Sequence, residues 1–309
     1  MKKICVIGSL NIDIVTSIEG LPKIGETIFS KTFDVFVGGG KGANQAVALG
    51  KLGADVRMVG RLGSLFYGPE YLEVLKKYNI KCDTVEILED IYPGIAVVTV
   101  VSGGNNMIYV YPGANQMVNE EYIDKIWNKI TECDIFLFQM EIPLGTTLYT
   151  IKKLKQLEKT IILDPAPAVV WRDEILSYVD YITPNEVELA TLAQTPILIR
   201  PEDYYTAGQK LIEKGANIVI AKAGEKGSFI IGENIFEHIP AFKVKPIDTT
   251  AAGDSFNAGF AYALANGTDN LFDCVRFANA VGALSTTAIG AQTAMPTLEK
   301  VYEFLNSYK

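Results

Sequence analysis

Histidine is almost missing from this chain: there is one, His238, among 309 residues. With no nucleophilic serine or cysteine recognisable beside it, histidine-based triads and histidine-rich metal centres drop out. Cysteine is scarce as well. Cys5, Cys82, Cys133 and Cys274 lie far apart, match no paired metal-ligand spacing and form no disulfide framework, which suits buried thiols in a reducing compartment. Positive charge is in deficit, with 28 Lys and Arg against 36 Asp and Glu and no basic run, so a nucleic-acid partner is not expected. No uncharged apolar run approaches the roughly 20 residues of a membrane helix, so no membrane partner is expected either. The start, "MKKICVIGSLNIDIV", imitates a secretion signal, but Asn11 and Asp13 interrupt its apolar run. It reads as the first strand of a cytoplasmic protein.

What is present is a large core in waiting, with 49% hydrophobic residues. From about residue 130, short apolar runs such as "DIFLFQM", "TIILDPAP" and "NIVIAKAG" alternate with amphipathic segments such as "TLYTIKKLKQLEK" and "AGQKLIEKGA". That rhythm predicts parallel strands with crossover helices, a doubly wound α/β fold whose mostly parallel sheet is flanked by helices. One domain over 1–309 is expected. Residues 12–37 and 92–112 break the rhythm with β-branched runs, the second folding back through Ser102 to Asn106. They predict a small antiparallel sheet inserted in the main domain, either as a lid hinged at Gly38, Gly39 and Gly40 or as an extra sheet with no motion.

The glycine-rich "FVGGGKGANQAVALGKLG" is not a Walker A loop, because Lys41 is followed by Gly42 rather than Ser or Thr. Gly38, Gly40 and Ala43 do fit the dinucleotide pattern G-x-G-x-x-A, with "TFDVFV" as the strand before it, which keeps a nicotinamide-dependent oxidoreductase as a rival. The acidic residue that such a site needs about 20 positions on is absent. A polyol uses more of the residues: Lys41 and Asn44 supply donors on a first helical turn, while Asn11, Asp13 and Glu141 follow strands. Each alone is more simply a turn or capping residue. Their common place after strands favours one crevice.

In "DTTAAGDSFNAGF" the run "FKVKPI" predicts a strand ending near Asp248, and Phe256, Phe260 and Leu264 predict a buried helix starting near Gly253. The N–H groups of Ala252 and Gly253 can then face a phosphoryl oxygen, and Asp254 can take a proton from an attacking hydroxyl. A carboxylate that merely steadies a helix start is the plain alternative, but it leaves the small residues unexplained. Asn185 and Glu188, three apart after the strand "YIT", suit phosphate and magnesium-bound water, and Gly224 and Gly227 form a turn against which a nucleotide can lie.

Taken together, "GGKGAN", "QMEIP", "DPAPA", "TPNEVE" and "DTTAAGDSFNAG" resemble the ribokinase-like carbohydrate kinase family over nearly the whole chain. The resemblance implies ATP-dependent phosphorylation of a neutral sugar's primary hydroxyl, D-ribose first, with another sugar or a nucleoside as the alternative acceptor. In it Asp254 is the base, Ala252 and Gly253 form the anion hole, and Asn11, Asp13, Gly40, Lys41, Asn44, Ala96 and Glu141 hold the sugar. It also implies Asn185, Glu188, Lys222, Gly224, Gly227 and Asn279 at the nucleotide with magnesium, and a potassium site at Asp248, Thr250, Ser285, Ala288 and Gly290. Lys222 stands where similar proteins commonly have threonine, and Ala294 where they have a serine near the cation. A homodimer through the lid is expected.

Overall fold

The computed structural model describes residues 1–103, 106–168, 172–268 and 270–308. The strands in chain order are β1 (Ile4–Ile7), β2 (Asn11–Ile18), β3 (Thr32–Gly39), β4 (Val56–Gly63), β5 (Lys81–Leu88), β6 (Gly94–Val101) and β7 (Asn106–Tyr111). They continue as β8 (Ile135–Phe138), β9 (Thr160–Leu163), β10 (Tyr181–Ile182), β11 (Ile218–Lys222), β12 (Ser228–Gly232) and β13 (Ile235–Ile239). Nine form one sheet in the order β13-β12-β11-β10-β9-β8-β1-β4-β5. It is parallel from β11 through β5, and β12 and β13 add an antiparallel edge. The continuous apolar runs of β1 and β8 are buried throughout, as a sheet covered by helices on both faces requires. The doubly wound α/β expectation holds.

The remaining four strands form the second sheet, ordered β3-β2-β6-β7. β2–β3 and β6–β7 are antiparallel, but β2 and β6 run parallel from Asn11↔Gly94 to Ile18↔Val101. The expected antiparallel sheet is therefore mixed, because its two hairpins join through strands separated by the main-sheet strands β4 and β5, a connection long enough to permit parallel pairing. Of the expected 102–106 turn, Gly104 and Asn105 lie outside the described residues.

Two further expectations change. "TFDVFV" is a strand, but β3 belongs to the small sheet and pairs antiparallel with β2, so it is not the opening strand of a dinucleotide-binding βαβ unit. "FKVKPI" forms no strand. Pro246 can donate no ladder hydrogen bond, and the segment is anchored instead where Ile247 N–H meets the Thr286 carbonyl at 2.7 Å.

The helix Ala252–Ala265 appears where the aromatic spacing placed it, with Phe256 and Phe260 buried in the core. Each such burial stabilises the fold by about 1.5–3 kcal/mol, enough to fix the first helical turn that carries Asp254. The lone His238 is a β13 residue that stacks on Phe229 and donates from Nε2 to the Lys226 carbonyl at 2.7 Å. It steadies the Gly224–Gly227 turn.

Candidate active site

The crevice opens at the carboxyl ends of the main-sheet strands, where the small sheet crosses them. Its first wall is made by backbone. Gly40 has φ +84°, a left-handed conformation that favours glycine, and a Cβ there would lie 2.8 Å from Asn11 N. A Cβ on Gly39 would meet the Asp13 carboxylate at 2.2 Å. The glycine run thus lets the start of the helix Lys41–Lys51 approach β2 closely.

Register and hydrogen bonds place the sugar-site candidates around that wall. Asp13 pairs with Ala96, and Asn11 with Gly94. Asn11 Oδ1 accepts from Asn115 Nδ2 at 2.8 Å, while Glu141 Oε2 accepts from Lys41 N–H at 3.0 Å and from the Ser9 hydroxyl. Asn44 reaches across to the helix at Ala252, its Nδ2 donating to Asp254 Oδ2 at 3.1 Å. Ala96, Asn11, Asn44 and Asp254 are all buried.

At Asp254 the chain turns through Ala251 at φ +58°, and no side chain caps the helix. The Ala252 N–H turns back to the Thr249 carbonyl at 3.2 Å, whereas Gly253 and Asp254 N–H have no acceptor among the described residues. Free donors at a helix start attract an anion. Burial pushes Asp254 up to about 6; Lys41 and hydrogen bonds from Asn44 and Gln45 oppose that rise, while Asp164 adds to it. Burial, followed by the charges of Glu141 and Asp254, pushes Asp13 up to about 7. Burial works against the Lys41 ammonium, but Asp254, Asp164, Glu141 and Glu188 together hold it protonated, above its ordinary value.

Around this centre lies a network that the sequence reading passed over. Gln45 Nε2 donates both to Asp254 Oδ1 (3.2 Å) and to Asp164 Oδ2 (3.1 Å), Gln139 donates to Gln45 Oε1 (2.7 Å), and Lys222 Nζ pairs with Asp164 Oδ1 (2.9 Å). Gln292 donates to Asn44 Oδ1 (3.2 Å) and to the buried Tyr71 hydroxyl (3.3 Å). The available signals were modest: Gln45 adjoins Asn44, and Asp164 ends a strand.

The nucleotide candidates gather on the other side of Asp254. Asn185 and Glu188 form a capping box at the start of the helix Glu186–Ala193, each side chain accepting the other's backbone N–H at 2.8 Å. Burial raises Glu188, an effect that Lys222 counters. Lys222 ends β11, Gly224 and Gly227 take positive φ in the turn that follows, and Asn279 closes it from behind with bonds to Ser228 (2.7 Å) and the Ile239 carbonyl (3.3 Å).

The cation candidates also converge. Asp248 Oδ1 accepts from Thr250 N–H at 2.9 Å, and Oδ2 accepts from Gly290 N–H at 2.9 Å. Burial would raise this carboxyl, but a hydrogen bond from the Thr250 hydroxyl at 2.6 Å, with these two N–H bonds, prevails and holds it below the usual range. Ser285 turns its hydroxyl to the Gly282 carbonyl (2.8 Å), and Ala288 lies between Ser285 and Gly290.

A buried carboxylate, free helix N–H groups and a crevice of mixed donors and acceptors suit phosphoryl transfer to a hydroxyl. The pfkB carbohydrate kinase family profile matches residues 1–298. The chain belongs to the pfkB family of carbohydrate kinases. It is 39% identical to a Bacillus subtilis ribokinase over 306 residues, covering 99% of this chain and all of that protein. Among solved structures it resembles a Thermotoga maritima ribokinase, with a TM-score of 0.90, 40% identity and coverage of 99% of this chain and 100% of the other. An Arabidopsis thaliana ribokinase complexed with ribose and ATP superposes with a TM-score of 0.89 at 33% identity, covering 98% of each chain. This pfkB member is a sugar kinase phosphotransferase, and the nicotinamide reading falls.

Proposed function

We propose that the chain transfers the terminal phosphoryl group of ATP to the primary hydroxyl of D-ribose, giving ribose 5-phosphate and ADP. The observation that carries this reading is Asp254: a buried carboxylate ionising near neutral pH, fixed beside free N–H groups and open to the glycine-walled crevice. Asp254 takes the hydroxyl proton, the hydroxyl oxygen bonds to the terminal phosphorus, and the bond to the bridging oxygen breaks as ADP leaves. The Gly253 N–H and the helix start receive the phosphoryl charge; Ala252 joins them if its N–H leaves Thr249. Asn11, Asp13, Gly40, Lys41, Asn44, Ala96 and Glu141 hold the sugar, and a missing hydroxyl would leave one of the polar groups buried and unpaired.

ATP lies along Asn185, Lys222, the Gly224–Gly227 turn and Asn279. Glu188 keeps one carboxylate oxygen clear of the capping box, which fits a magnesium ion that retains most of its water. Magnesium, when bound, neutralises phosphate charge. Potassium at Asp248, Thr250, Ser285, Ala288 and Gly290 would steady the loop behind the anion hole. We place the protein in the cytoplasm, in keeping with four cysteines scattered along the chain at no paired spacing.

The single domain carries the small sheet as a lid over the sugar. There is no Lys or Arg from Ile91 to Asp124, so the β6–β7 half of the lid has no cation to grip a phosphorylated sugar. Nor does it offer strand tyrosines for stacking on a purine: Ala96 pairs with Val110, so Tyr109 and Tyr111 lie on the opposite face from Asp13. That outer face and the β7 edge carry exposed Met107, Tyr109 and Tyr111, and a second copy covering them makes a homodimer.

ADP release with magnesium, compared for ribose, 2-deoxyribose, fructose, fructose 6-phosphate and adenosine, tests the acceptor. Ribose should give the highest kcat/KM, faster in potassium than in sodium. Preference for adenosine or the phosphorylated sugar overturns the acceptor, and equal rates in potassium, sodium and a bulky organic cation remove the cation site.

A further inference from the structure

Lys222 and Asp164 are 58 residues apart in sequence and 2.9 Å apart in space, with side chains 13% and 3% exposed. Taking two charges this far from water costs several kcal/mol per ion, and their attraction often no more than offsets it. Stability alone is therefore a weak reason for the pair. Its position suggests another. A Cβ built on Gly253 would lie 3.4 Å from Lys222 Nζ, so the ammonium sits over the helix start, where the Gly253 and Asp254 N–H groups have no acceptor among the described residues. A phosphoryl group arriving there would meet that ammonium.

We propose that Lys222 is a catalytic cation that moves onto the transferred phosphoryl group, and that Asp164 holds it at the anion hole until the donor arrives. This rests on the kinase reading and deepens it. Two features make the exchange feasible. Lys222 has its backbone fixed, its N–H donating to the Pro184 carbonyl at 2.8 Å, while its four methylenes let the ammonium move alone. Asp164 is not abandoned when the lysine leaves, because Gln45 still donates to its other oxygen at 3.1 Å. The same Gln45 amide donates to Asp254, so the base keeps its orientation throughout. The pair thus stores a charge beside the reaction centre that is spent only when a third negative group enters.

The test is the double variant Lys222→Met/Asp164→Asn, which removes both charges and leaves neither buried alone, with Asp164→Asn and Lys222→Arg beside it. Thermal melting first establishes that each is folded. The double variant should lose about 10²–10³-fold in kcat, the scale of one oxyanion donor, with the ribose KM within about twofold. By calorimetry it should bind a non-hydrolysable ATP analogue roughly tenfold more weakly, with ADP affinity unchanged. Asp164→Asn alone should lose clearly less kcat than the double variant, and Lys222→Arg should recover part of the double variant's loss.

Wild-type kcat with an unchanged preference for the analogue over ADP in the double variant would overturn the proposal. So would a loss in Asp164→Asn as large as in the double variant, because the pair would then be purely architectural. Wild-type protein that bound the analogue in a Lys222-dependent way yet phosphorylated no sugar would sink the acceptor reading and leave this one standing.

Discussion

β8, in the middle of the main sheet, is buried at all four positions, whereas β7 of the small sheet is exposed at all six. Both strands are rich in apolar residues, so composition does not separate them. Coverage does. The main sheet has helices on both faces and can hold Asp254, Asp164 and Lys222 away from water, where their charges act strongly. The small sheet has one face toward the crevice and an open edge, which suits a part that moves and meets another surface. In the proposed function one layer supplies the fixed electrostatics and the other supplies access.

The largest break in this division comes from Asp254→Asn. It should lower kcat by about 10²–10⁴-fold while ribose affinity, measured by calorimetry, changes only a few fold. Near-native turnover would take the base out of the main-sheet end of the crevice. Next is Tyr109→Lys, on the lid face away from Asp13. Sedimentation should show the dimer weakened by about tenfold or more, with the melting of the core little changed; a wild-type protein that is already monomeric at micromolar concentration would dismiss the interface. The smallest effect is in the pH profile. Asp254 must be ionised to accept a proton, and it is raised to about 6 in the free protein, so log kcat/KM should fall with unit slope as pH drops through that value. A profile flat from pH 5 to 8 would exclude Asp254 as the titrating base.

Much of this arrangement was legible because it is local. The spacing of Phe256, Phe260 and Leu264 fixed a helix, the three glycines marked a close backbone approach, and the β–α rhythm gave the doubly wound sheet. What escaped was pairing across distance. Nothing near Asn11 or Gly94 announces that β2 and β6 will run parallel, and the Gln45 to Asp164 bond spans 119 residues. Lys222 was visible at a strand end, but the carboxylate it pairs with was not. "FKVKPI" misled because alternation signals an extended chain, while a strand also needs a neighbour with free hydrogen-bonding groups.

The close grouping of Asp13 and Asp254 also bears on how the empty protein folds. Both carboxyls titrate higher in the folded chain, at about 7 and about 6, than the ordinary aspartate value near 4 that they would have unfolded. Between pH 4 and 7 the folded state therefore binds more protons than the unfolded one, and through these two groups the stability of the empty protein falls as pH rises. In the proposed mechanism Asp254 becomes competent as a base over the same interval. The protein thus gives up conformational stability to gain reactivity, and a sugar that hydrogen-bonds to the ionised pair returns part of it.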